Sequence, residues 1–301
     1  MTSLSSARTC ASHRPAGARH DRRVPSVGAL DPVAISLATF DAILASPLPL
    51  DFLGSVSRLL SPLEPAAQGT ASTMSHAAGA WALTEQLFAS DTPVTTAALH
   101  LVREMAADDE LRRLCAEGLA QRRTPVPAWV RRFHEICVDG PVRALLPPED
   151  GVETLVIGAT LPGVDLAAVS TSLAGLGLDP ADLARLAEHG GAGPETRGFP
   201  VLPSFDTFSL VLTTHELDCG RLPTVVLLTQ QPPADVVAHL CTMDDYPVAS
   251  RTLPDVEARA ILDHVLSGTH QCVPLDDASA GHLPLLRCLT ERLAPAARGA
   301  A

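Results

Sequence analysis

Between Thr207 and Leu240 the chain reads TFSLVLTTHELDCGRLPTVVLLTQQPPADVVAHL, its densest apolar block. Phe208, Leu210 and Leu212 alternate with Ser209, Val211 and Thr213, the two-residue period of a strand with one buried face. Thr224–Thr229 is a β-branched and Leu run that reads as a second strand. Asp218-Cys219-Gly220-Arg221 lies between them and carries turn chemistry, with Gly available for a positive φ. Gln230-Gln231-Pro232-Pro233 ends the second strand. Pro233 suits the first turn of a helix, where its missing N–H would have no partner anyway. Val236, Val237 and Leu240 then form one apolar face. Strand, turn, strand, turn and helix follow one another here, and hairpin 207–230 is the expected centre of a small α/β region.

Upstream the period changes. Asp31-Pro32 is an N-cap followed by Pro, and Val33, Leu37, Phe40 and Leu44 make a helical stripe. Further helices are expected over Leu50–Leu60 and Thr73–Phe88, with Trp81, Leu83, Leu87 and Phe88 as the bulk of the latter. Thr92-Pro93 opens a fourth and Asp108-Asp109 a fifth, whose acids sit at the positive end of the helix dipole. Pro127–Cys137, carrying Trp129, Val130, Phe133 and Ile136, reads as a sixth. Asp139-Gly140-Pro141 and Leu146-Pro147-Pro148-Glu149-Asp150-Gly151 mark the strongest boundary. Beyond it lie an extended run at Glu153–Ala159, a segment at Asp165–Leu176 compatible with helix or loop, and a helix from Asp179-Pro180 to Gly190. After the hairpin come a short strand near Val248–Thr252, a helix over Pro254–Leu266, a short extended piece at Thr269–Val273, and a helix over Leu283–Leu293. The expected organisation is a disordered basic tail over 1–30, a helical block over 31–146, an α/β region over 147–294 and a frayed tail over 295–301. The fold class is α+β, a helical N-terminal block packed with a small mixed or antiparallel sheet and flanking helices.

Composition narrows the chemistry. The chain has no Lys and no Asn. A Schiff-base lysine, the lysine of a phosphate-binding loop and the Lys and Asn of a protein kinase are therefore excluded. Net charge is −12. Five Arg and one acid in residues 1–30 give that stretch +4, leaving seventeen Arg against thirty-three acids, −16, in the rest. So acidic a body repels phosphate backbones and anionic bilayers, so neither nucleic acid nor membrane is an expected partner. No apolar run reaches the ~18 residues of a membrane span. The seven Cys are odd in number and lack a C-x-x-C pair. They read as reduced thiols in the cytoplasm, not a disulfide framework.

Pro233-x-x-Val236, Pro254-x-x-x-Ala258-Arg259-x-x-Leu262 and Leu283-Pro284-Leu285-Leu286-Arg287 ahead of Arg292-Leu293 share a further property. With Pro127-Ala128-Trp129 and the Leu155–Gly163 strand, they resemble a set of high-GC bacterial soluble proteins of unassigned function. The resemblance implies a helical N-terminal half and a mixed α/β C-terminal half. Those proteins often carry an Asp-His-Asn-type segment after a central strand. Here Thr229-Gln230-Gln231 stands there instead, so any role of that segment does not transfer.

Candidate chemistry gathers at the two ends of the 207–240 unit. His215 and Cys219 flank the hairpin turn, where a nearby His can lower a thiol's pKa. His239 precedes Asp244 and Asp245, and paired carboxylates can share a proton or hold a divalent ion. The pairs His134/Cys137, His239/Cys241 and His270/Cys272 have ligand chemistry but not zinc-finger spacing, so no metal site and no cofactor is expected. The Arg doublets at 112–113, 122–123 and 131–132 could face an acidic partner or a phosphorylated ligand, but the acids interleaved with them favour pairing within the helices. The expected function is that of a soluble cytoplasmic interaction or accessory protein with a protein partner. The alternative is a small enzyme using His215, Cys219, His239, Asp244 and Asp245.

Overall fold

The alternation that defines the hairpin sets the two faces of a six-stranded sheet in the computed structural model. The structure describes residues 37–46, 48–64, 71–140, 142–146, 151–167, 169, 206–217, 220–243, 249–267 and 275–293. The expected tails, most of Asp165–Leu176, the Asp179–Gly190 helix, the Thr269–Val273 piece and residues 218–219 of the hairpin turn lie outside them. The strands are β1 (Cys137–Val138), β2 (Val142–Leu146), β3 (Val152–Thr160), β4 (Thr207–Leu217), β5 (Gly220–Thr229) and β6 (Ala249–Leu253). They run in the order β5-β4-β3-β2-β6, with β1 also on β3, and every pairing is antiparallel. The fold is α+β.

Helices α1 (Leu37–Leu44), α2 (Pro49–Leu60), α3 (Ala71–Ala89), α4 (Pro93–Met105) and α5 (Asp109–Ala120) make the N-terminal block, followed by the short α6 (Ala128–Arg131). The two starts legible in the sequence are capped as their residue types require. Thr92 and Thr95 form a reciprocal capping box on α4, and the Asp108 side chain accepts from the N–H groups of Glu110 and Leu111 on α5. After the sheet strands come α7 (Pro233–Met243), α8 (Asp255–Leu266), α9 (Asp277–Ala280) and α10 (Leu283–Arg292).

Phe208, Leu210 and Leu212 of β4 join Leu155, Ile157 and Ala159 of β3 on one face, here the near face. These residues belong to the same buried cluster as Phe40, Phe52, Leu99, Phe133, Leu262 and Leu286, so helices and near face share one core. Phe40, Phe52 and Trp129 stack edge to face within it, with centroids 5.9 and 6.4 Å apart. The opposite, far face carries a smaller cluster of Leu145, Val156 and Val211, closed by Val236 of α7. Gly158 lets α7 come this close: a Cβ there would overlap the ring of Pro233.

The structure departs from the sequence reading in three places. The expected sixth helix stops at Arg131, passes through a 3-10 turn at Phe133–Glu135 and becomes β1 at Cys137. Its apolar stripe is nonetheless buried, because Trp129, Val130, Phe133 and Ile136 all reach the core by this tighter route. Val142–Leu146, inside the expected helical block, is a strand. β1 and β2 are two pieces of one strand line along β3, and the register slips between them at Asp139-Gly140, where Gly140 takes φ 65°. Finally, β5 starts four residues before Thr224. Pro223 is accommodated because β5 is an edge strand, and the register shifts beside it.

Candidate functional site

The sequence candidates distribute as follows. His215 sits on β4 opposite Val152 of β3. Continuous pairing of β4 with β3 puts it on the same far face as Val211 and Thr213. His239 lies on α7, the helix that covers this face. Burial lowers the His239 pKa from its ordinary value. Both histidines thus belong to the far side of the sheet. Cys219, Asp244 and Asp245 lie outside the described residues, as do His270 and Cys272. Among the described residues no three or more His, Cys, Asp or Glu side chains come together in a group able to hold a metal ion. Cys115 and Cys288 are buried in the core, and desolvation pushes their thiols up to about 12. These two act as small apolar groups, not nucleophiles.

The Arg doublets are largely occupied in structural pairs. Arg113 holds Glu110 and Glu117 along α5, and Arg132 pairs with Glu135 at 2.7 Å. Arg122 reaches from beyond the end of α5 to the carbonyl oxygens of Leu87 and Phe88 and to the hydroxyls of Thr95 and Thr96. One guanidinium therefore closes the C-terminus of α3 and braces the start of α4. Arg112 leaves its own helix: Nε donates to the Ala106 carbonyl, and the fork meets Glu291 of α10 at 2.9 Å. Arg292 of α10 returns the contact to Glu104 of α4, also at 2.9 Å.

This network borders a cleft that the sequence did not announce. The cleft holds about 190 Å³, between the 3-10 turn after α2, the outer side of α3 and the α4–α5 junction. Among the described residues Leu60, Leu63, Trp81 and Leu111 supply apolar surface, and Glu64 and Asp108 carboxylates. No basic side chain is among its described lining residues. Trp81 remains 38% exposed. Glu64 is the opposite case. It is 1% exposed, and its carboxylate is ion-paired with Arg287 of α10. Burial draws Arg287 below the usual range of a guanidinium. Arg287 also leaves Nε in the interior without a hydrogen-bond partner among the described residues. The pair fixes the floor of the cleft to the C-terminal helix, joining residues far apart in the chain. Sequence reasoning had no route to it, because Glu64 appears only as one acid in a Pro-broken connection.

Chemically, the cleft can desolvate an apolar group beside negative charge. Its described lining residues offer no nucleophile, and its exposed carboxylate, Asp108, is engaged in capping α5. Compared with known protein families, with curated proteins and with solved structures, the chain matches none.

Proposed function

We propose that this chain works by binding another protein and carries no catalysis of its own, in the cytoplasm and without nucleic acid as a partner. One observation carries the reading: an exposed Trp borders an apolar cleft in a chain whose aromatic content is only 3%. Trp is the residue most characteristic of interface hot spots, because it buries a large area at low entropic cost. Supporting it, Arg112, Arg287 and Arg292 hold helices to one another, leaving a rigid surface for docking. Among the described residues no helix is long and apolar enough to cross a membrane. Cross-linking of the full chain in an extract of its source cells, followed by reconstitution with each purified candidate, tests the proposal. A stoichiometric recombinant complex with cross-links on α3 to α5 is the expected result.

The alternative is a small enzyme, favoured by the shared position of His215 and His239 on the far side of the sheet. Turnover of any substrate by the purified chain that disappears in both His215→Ala and His239→Ala, with folding intact, would replace the binding proposal with this one.

A further inference from the structure

We infer that the Trp81 cleft takes a single apolar side chain carried on a basic segment of the partner. This rests on the interaction reading above and specifies the chemistry of the occupant.

Size comes first. Pockets for drug-sized ligands run from about 300 to 1,000 Å³, whereas a dry cavity of about 150 Å³ accepts benzene. At about 190 Å³ the cleft matches one Leu, Met or Phe side chain and falls short of a metabolite with several functional groups. The lining agrees, since Leu60, Leu63, Leu111 and the Trp81 ring meet an aliphatic or aromatic group without leaving a polar atom of it unpaired.

Charge fixes the rest of the occupant. With Glu64 buried and neutralised by Arg287, Asp108 is the exposed charge among the described lining residues, and the Asp109 side chain beside it is 96% exposed. Arg112, on the same helix as Asp109, is drawn away toward Ala106 and Glu291 and comes no nearer than 3.8 Å to Asp109. The body outside residues 1–30 carries −16. An acidic segment is repelled at long range and meets carboxylates at contact. A segment bearing Arg or Lys on either side of its apolar anchor is steered in, and its cation can lie over the Trp81 ring.

The test uses the full chain and three synthetic helical peptides of equal length, watched by calorimetry and Trp fluorescence. One pairs Leu anchors with Arg, one replaces Arg by Glu, and one keeps Arg but replaces Leu by Ser. The Leu/Arg peptide is expected to bind at least tenfold more tightly than either control and to weaken as salt rises. Ala107→Leu fills the cleft from its half-buried wall, and Asp108→Asn removes charge while keeping an equally good N-cap. Each is expected to weaken the Leu/Arg peptide at least fivefold at unchanged melting temperature. Equal binding of the Glu peptide, or indifference to Ala107→Leu, overturns the inference. So does self-association of the chain that Trp81→Ala abolishes, since the occupant is then a second copy. A reconstituted complex whose cross-links map away from α3 to α5 overturns this inference alone and leaves the interaction reading standing.

Discussion

On its near face the sheet gives up Phe208, Leu210, Leu212, Leu155 and Ile157 to the apolar mass that fills the helical block. On its far face Leu145, Val156 and Val211 meet a single helix, α7, through buried Val236 and the partly buried Val237, Leu240 and Cys241. Both faces come from the same strands and the same alternation, so pattern alone does not decide how strongly a face is held. What differs is how many independent elements converge. Behind the near face, α2, α4, α8 and α10 pack together and are cross-tied by Glu64–Arg287, Arg112–Glu291 and Glu104–Arg292. The far side depends on a helix that enters through Pro233 and packs by a narrow stripe. The near side is therefore the rigid half of the molecule, and it is the half that presents the cleft.

The sharpest attack on this contrast is Glu64→Ala. It strands the buried Arg287 guanidinium, and the expected loss is about 3–5 kcal/mol in chemical denaturation. A loss under about 1 kcal/mol would mean that the pair is solvated and the near side less tightly tied than described. Next comes a matched pair of truncations. Leu212→Ala opens a hole where the surroundings cannot collapse and is expected to cost about 2–5 kcal/mol. Val236→Ala removes less and sits where α7 can resettle, so about 1–2 kcal/mol is expected. Equal values would erase the distinction between the faces.

Acid should also find the helical side. Burial first, then nearby Arg103 and Arg58, lower His100 and His282 from 6.5 to about 4. In that window the unfolded chain binds protons that the folded chain does not. Stability is therefore full above about pH 6.5 and falls as pH drops toward 4, by up to about 3 kcal/mol for each histidine over the window. Thermal melts from pH 8 to 4 should show the slope, and the double change His100→Gln, His282→Gln should flatten it. Smallest of all, Trp81→Ala should shift stability by no more than about 0.5 kcal/mol, because the ring is on the surface, while removing peptide binding. A large melting shift would make Trp81 a core residue and withdraw it from the interface.

Much of this architecture was legible because it rests on local chemistry. Thr92-Pro93 and Asp108-Asp109 start helices because their side chains satisfy exposed N–H groups within three residues. The 207–230 hairpin follows from a period of two and a turn. Elements were misread where a local signal had a distant cause. Asp139-Gly140-Pro141 looks like punctuation, yet the chain on both sides of it pairs with the same strand, β3. Pro223 looks like the residue ahead of a strand, and only its place at the edge of the sheet allows it inside one. The cleft was invisible for a stronger reason. Its walls come from residues near 60, 81 and 108, and its floor is held by Arg287, so no window of sequence contains it. The candidates read from sequence, His215 and His239, share a side of the sheet, but the cleft lies with the helices.

The meeting of Gly158 with Pro233 has a consequence for how such a chain can change over generations. A methyl group at 158 has nowhere to go while the ring at 233 is present, so Gly158→Ala alone should loosen α7. Replace Pro233 with Ala as well and the two worst overlaps, with the ring's Cγ and Cδ, are gone, leaving only the β-carbon 3.2 Å away and the double variant more stable than the Gly158→Ala single. The two positions, on a strand and on a helix seventy-five residues later, are therefore not free to drift separately. A chain that gains a side chain at 158 must first replace Pro233, so the order Pro233 then Gly158 is the passable one.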